Sequence, residues 1–135
     1  ISVVAPALLA AESAEVHAMH DPTEGGVMTG LLEMARAAGT GLRVDLDAIP
    51  ILPEGAALCR EFGLDPLGTI ASGAILMAVP QHAAAGLCTI MAQSGYPTAV
   101  IGQVTPPEDG LQALRGGAPV TWPTFATDEI TRLFA

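Results

Sequence analysis

The sequence predicts an α+β domain, a three-layer α/β/α sandwich whose helices pack against one mixed sheet. Segments of helical and of strand period alternate along the chain, which is the pattern of a layered domain. Two strand segments, 73–79 (GAILMAV) and 98–104 (TAVIGQV), are almost continuous apolar runs, as strands covered on both faces are. The length, 135 residues, fits one domain over 1–135.

The elements follow in order. Residues 3–12 read as a short helix. Residues 15–20 (EVHAMH) alternate, with Val16, Ala18 and His20 on one face, and read as a strand. Asp21-Pro22-Thr23-Glu24 then reads as a helix start. Asp suits the N-cap, Pro the first helical position, and Glu three residues on completes a capping box. This helix runs to about Ala38 with Val27, Leu31, Met34 and Ala38 on its apolar face, and Gly39 and Gly41 stop it. Residues 41–49 alternate Leu42, Val44 and Leu46 and read as a strand. Pro53 opens a helix over roughly 53–62, with Leu58 and Phe62 on one face and Gly63 as its cap, and Asp65-Pro66-Leu67-Gly68 is a turn. After the strand at 73–79, Pro80 opens a helix over 81–94 with Leu87, Ile90 and Met91 inward and Gly95 ending it. Beyond the strand at 98–104, Leu111–Leu114 and Val120–Trp122 read as short edge strands around a turn at 115–119. Thr127, with Asp128 and Glu129, caps a last helix to Ala135.

Charge narrows the function. Five Arg and 14 acidic residues give a net charge of −9, and there is no Lys. Nucleic acid is not the expected partner, because phosphate-backbone binding needs clustered Lys and Arg. A P-loop and Schiff-base chemistry both need a Lys. No apolar run reaches the roughly 18 residues that a membrane helix needs. The start at Ile1 has no basic n-region and no Met, so no secretory signal is read and an excised piece of a longer, cytoplasmic protein is expected. Cys59 and Cys88 lie in apolar surroundings and read as thiols rather than a disulfide. From Pro66 to Pro107 there is no Asp, Glu, Lys or Arg, so this span either forms core or faces another domain or subunit.

The segment with most chemistry is His20-Asp21-Pro22-Thr23-Glu24-Gly25-Gly26-Val27. A capped helix start explains Asp21, Pro22 and Glu24 but not the two glycines, each of which costs up to about 1 kcal/mol in a helix relative to Ala. Two together indicate a close approach to the backbone. A strand, a Gly-rich turn and a helix also present bare N–H groups and a positive dipole end, which suits phosphate. The spacing is not GxGxxG, so a dinucleotide fold is not supported. Ser72-Gly73 ahead of the apolar strand is a second candidate, with a plain turn as an equal reading. His17 and His20 point to opposite faces of a strand and make no metal pair, and no metal site is expected. Asp45 and Asp47 share one strand face, best read as a solvated one.

Together, HDPTEGGVMTGLLEMARAAGTGLRVDLDAIPI, LCREFGLDPLGTIASGAILMAVP and AVIGQVT resemble the C-terminal domain of the AIR synthase-related (PurM-like) superfamily, and within it the hydrogenase-maturation, HypE-like branch. The resemblance spans roughly 17–105. It implies a PurM C-terminal-domain fold, partly ferredoxin-like, behind an N-terminal domain that holds most of the ATP and Mg site. It implies an enzyme that activates a substrate oxygen by phosphoryl transfer from ATP. The Gly-rich turn would face the cleft between domains, so that Asp21, Thr23, Glu24, Gly25 and Gly26, with Ser72 and Gly73, become the ligand or phosphate-binding candidates. The implied partners are the protein's own N-terminal domain, a second copy in a homodimer, and maturation proteins. Two positions depart from the branch. It carries Arg where this chain has Glu24, and a terminal Cys where this chain ends Arg132-Leu133-Phe134-Ala135. The alternative of another class is a non-enzymatic dimerisation or partner-binding domain.

Overall fold

A computed structural model describes residues 1–134. Four helices, α1 (Val4–Ser13), α2 (Gly26–Ala38), α3 (Pro53–Phe62) and α4 (Gln81–Gln93), alternate with six strands. The strands are β1 (Ala18–His20), β2 (Gly41–Asp45), β3 (Leu76–Ala78), β4 (Gly102–Thr105), β5 (Leu111–Arg115) and β6 (Ala118–Val120). The mixed α/β character matches the expectation. The strands, however, divide into two sheets rather than one. β4-β2-β5-β6 form a mixed sheet in which β2 and β5 run parallel and the other neighbours antiparallel, while β1 and β3 pair separately and antiparallel.

Two apolar clusters explain the layering. Met28, Leu31 and Ala35 of α2 belong to a buried cluster with Leu42 and Val44 of β2, Ala113 of β5, and Leu67 and Leu76. Ala10 of α1 packs with Leu87 and Met91 of α4, and Met19 and Met77 of the β1–β3 ladder lie against them. Leu76 and Met77 therefore serve opposite faces, as the period of two requires. The α/β/α order is realised around this ladder, with α1 and α4 on one side and α2 on the other. Gly30 lets α2 approach it: a Cβ there would sit 2.7 Å from Pro22 Cβ and 3.2 Å from Leu76 Cδ1.

Several sequence expectations shift. The buried stripe of α2 is Met28, Leu31 and Ala35, with Val27 and Met34 only packed at its border. Of the α3 residues Cys59 is buried, whereas Leu58 and Phe62 are 61% and 55% exposed, because no element of the described residues covers that face. The apolar run 98–104 yields only β4, an edge strand with Val104 exposed, since β2 is its one neighbour. β5 is an interior strand, not an edge. The last helix is a 3-10 turn, Glu129–Leu133, capped by Asp128 rather than Thr127, and the part expected at Ala135 lies outside the described residues. Cys59 and Cys88 are free thiols.

Candidate functional site

The loop after β1 does not start a helix at Pro22. α2 begins at Gly26, behind a Gly25 in the left-handed region (φ 76°), with no side-chain cap. The capping box is thus corrected: Asp21 and Glu24 do not cap. The local cause is that two consecutive glycines, Gly25 and Gly26 (φ 68°), take backbone angles that other residues rarely adopt. Pro22 is meanwhile buried against α2.

The close approach that the glycines signal comes first from the chain itself. A Cβ on Gly26 would meet the Leu67 carbonyl oxygen and lie 2.8 Å from that of Thr69. The N–H groups expected to be bare are largely occupied. Met28 N–H donates to the Leu67 carbonyl at 3.3 Å, and Gly26 N–H to the Thr23 carbonyl at 3.1 Å. Gly25 N–H donates to Asp128 Oδ2 at 2.8 Å, across 103 residues of sequence. A carboxylate of the chain stands at the helix end, where the macrodipole favours negative charge.

The two candidate segments meet. Ala71 N–H donates to the Thr23 carbonyl at 3.1 Å. Asp21 and Thr23 from the first loop, and Ser72 and Gly73 from the second, line one pocket of about 220 Å³ together with Pro22, Ile1 and Val3. Glu24 is exposed, Gly25 and Gly26 are buried, and none of the three lines this pocket. Among the described residues, the polar side chains that line it are one carboxylate and two hydroxyls. Mg²⁺ is usually bound through one or two carboxylates plus waters and substrate phosphates, so Asp21 fits as a single ligand in a shared site. Among the described residues no group of three or more His, Cys, Asp or Glu could hold a metal ion. His20 instead pairs with Glu33 at 2.8 Å, and His17 with Glu15 at 3.1 Å. Asp45 accepts from Asp47 N–H, and Asp47 from Gly116 N–H, so both serve turns.

The residue that sequence reasoning missed is Asp128. It also accepts Ile130 N–H at 2.9 Å, which is the local capping role its sequence announces. Nothing local announces the bond to Gly25. Beside it, Glu129 accepts Asp65 N–H at 3.0 Å and Arg132 at 2.6 Å. The Asp65 N–H first, and then Arg132, hold the Glu129 carboxyl below its ordinary range, against a smaller opposing effect of burial.

Residues 3–112 match the family described as AIR synthase related protein, C-terminal domain. The chain belongs to this family. As an AIR synthase-related C-terminal domain it has close relatives among hydrogenase-maturation proteins. It is 37% identical over 121 residues to the carbamoyl dehydratase HypE of Rhizobium leguminosarum bv. viciae, covering 85% of this chain and 35% of that protein. The crystal structure of E. coli HypE superposes with a TM-score of 0.81 at 26% identity, covering 98% of this chain and 42% of that one. A HypE solved in complex with ATP shares the fold at a TM-score of 0.75 and 24% identity, covering 87% and 38%. The chain thus spans about a third of the length of the curated relative it matches.

Proposed function

We propose that this chain is the C-terminal domain of an ATP-dependent, cytoplasmic enzyme of the HypE type, and that it lends one wall to the nucleotide and substrate cleft. The observation that carries the reading is the convergence of Asp21 and Thr23 with Ser72 and Gly73 on one pocket, in a chain 37% identical to a carbamoyl dehydratase.

That relative is a carbamoyl dehydratase, and its reaction class sets the proposed chemistry. Dehydrating a carbamoyl group, R–C(=O)–NH₂, gives a nitrile, R–C≡N, and removes one oxygen and both N–H protons. The oxygen is a poor leaving group. Transfer of the ATP γ-phosphoryl group to it makes it leave as phosphate, with ADP as the other product. Catalysis of such a transfer is mostly positioning and charge stabilisation. The Thr23 and Ser72 hydroxyls donate hydrogen bonds to ligand oxygens, and Asp21 accepts from a ligand hydroxyl or supplies one ligand to Mg²⁺. Gly73, at φ 103°, supplies a backbone turn that side chains rarely adopt and lies against Ile1, where a Cβ would come within 3.1 Å of Ile1 Cγ2. The cations that neutralise the phosphates come from outside this pocket, from the protein's own N-terminal domain, with a second copy and maturation proteins as further partners.

The test is calorimetric titration of the full-length protein with a non-hydrolysable ATP analogue. Thr23→Ala combined with Ser72→Ala is expected to weaken binding about tenfold or more, in line with two lost hydrogen bonds. Unchanged affinity would remove this pocket from the cleft. A second reading, as a non-enzymatic partner-binding domain, is favoured by the uncovered α3 face. It predicts that Leu58→Glu with Phe62→Glu abolishes self-association in sedimentation, and that the domain contributes nothing to nucleotide affinity.

A further inference from the structure

The segment from Trp122 to Leu133 lies outside the matched family region, which ends at residue 112, yet it is tied to both loops that form the pocket. Asp128, 8% exposed, holds Gly25 in the first loop by its side chain. Glu129 N–H donates to the Gly68 carbonyl at 3.1 Å, and the Glu129 carboxylate accepts Asp65 N–H, both in the second loop. The Phe125 ring covers Gly68 so closely that a Cβ there would fall on the ring. These contacts join positions 57 to 103 residues apart and converge from a single short stretch. The first loop and the start of α2 are tied directly to the second loop by bonds that include Ala71 N–H to the Thr23 carbonyl and Met28 N–H to the Leu67 carbonyl, bonds of ordinary strength.

We propose that Asp128 and Glu129 are positioning residues: through them the C-terminal segment braces the two loops and sets the distance between Asp21 and Thr23 on one side and Ser72 on the other. Neither carboxylate touches the pocket. Asp128 fills the anion position at the start of α2, so the Gly25 N–H orients the loop rather than binding a phosphate. The proposal rests on the pocket being the ligand site, and its test separates the two.

The experiment compares wild type, Asp128→Ala, the milder Asp128→Asn and the segment control Thr127→Ala in the full-length protein, well below the unfolding temperature. Two quantities are read: amide hydrogen exchange, and affinity for a non-hydrolysable ATP analogue. Asp128→Ala is expected to speed exchange about tenfold at Ala71, whose bond does not involve Asp128, while the β2 amides of Leu42 and Val44 stay protected. Affinity is expected to fall about tenfold in Asp128→Ala, to recover in part in Asp128→Asn, which keeps one acceptor oxygen, and to hold in Thr127→Ala. Unchanged exchange at Ala71 overturns the brace. Faster exchange with full affinity overturns the positioning role and leaves a purely structural one. Should wild type bind no nucleotide, the ATP reading fails, and the brace stands or falls on the exchange at Ala71 alone.

Discussion

The start of α2 and the end of α3 use the same backbone device in opposite surroundings. Gly26 (φ 68°) and Gly63 (φ 65°) are both left-handed glycines at helix ends. A Cβ on Gly63 would meet nothing within 4 Å, whereas one on Gly26 would run into the Leu67–Thr69 backbone. Around Gly26 the ties reach across the whole sequence. Around Gly63 they are local: Leu64 N–H returns to the Cys59 carbonyl, an ordinary helix stop. One glycine ends a helix. The other lets two distant loops lie against each other and so forms the pocket. The same conformation shapes a pocket only where tertiary contacts fill the space beside it.

That contrast can be broken or sharpened by mutation. The largest effect is expected for Gly26→Ala, which adds backbone strain and a clash with carbonyl groups that cannot rotate away, about 4 kcal/mol of lost stability in chemical denaturation. Gly68→Ala must push the Phe125 ring aside, for about 2 kcal/mol. Gly63→Ala meets only the backbone strain, about 1 kcal/mol, so the difference from Gly26→Ala isolates the clash. A cost at Gly63 equal to that at Gly26 would erase the distinction between the two glycines.

A smaller effect is a slope with pH. The Glu129 carboxyl titrates below its ordinary value of 4.5 in the folded chain, chiefly because of the Asp65 N–H and then Arg132. Its contribution is therefore complete above the unfolded-state value and is lost as pH falls below about 4.5 through the folded value. Glu129→Gln is expected to flatten the fall of melting temperature below that pH, and an unaltered profile would show that the C-terminal segment is not held by this charge. The smallest effects belong to α3. Leu58→Ser and Phe62→Ser are expected to change stability by only about 0.5 kcal/mol, because both side chains already face solvent.

Much of this was legible in the chain. The alternation of Leu42 and Val44 fixed β2 and its buried face, but the strand expected over 41–49 stops at Asp45, where the Asp45 side chain caps a 3-10 turn (Leu46–Ala48) that still buries Leu46. Pro53 and Gly63 marked the ends of α3, and Leu87 and Met91 the buried face of α4. The apolar run 98–104 misled, because hydrophobicity reports what can be buried, not whether a neighbour is present to bury it. The capping box misled because Asp, Pro and Glu have the same local meaning whether or not two left-handed glycines follow.

By itself the sequence determined the element order, the core-facing periods, the family pattern and the pairs Asp21–Thr23 and Ser72–Gly73 as candidates, since all of these are local signals of side-chain period, turn chemistry and spacing. Only the tertiary structure decided that those two pairs share one pocket, that the strands form two sheets, and that Asp128 occupies the anion position at α2. The reason is physical. Such contacts join residues tens of positions apart, and their energy depends on a distance in space that no local pattern along the chain specifies.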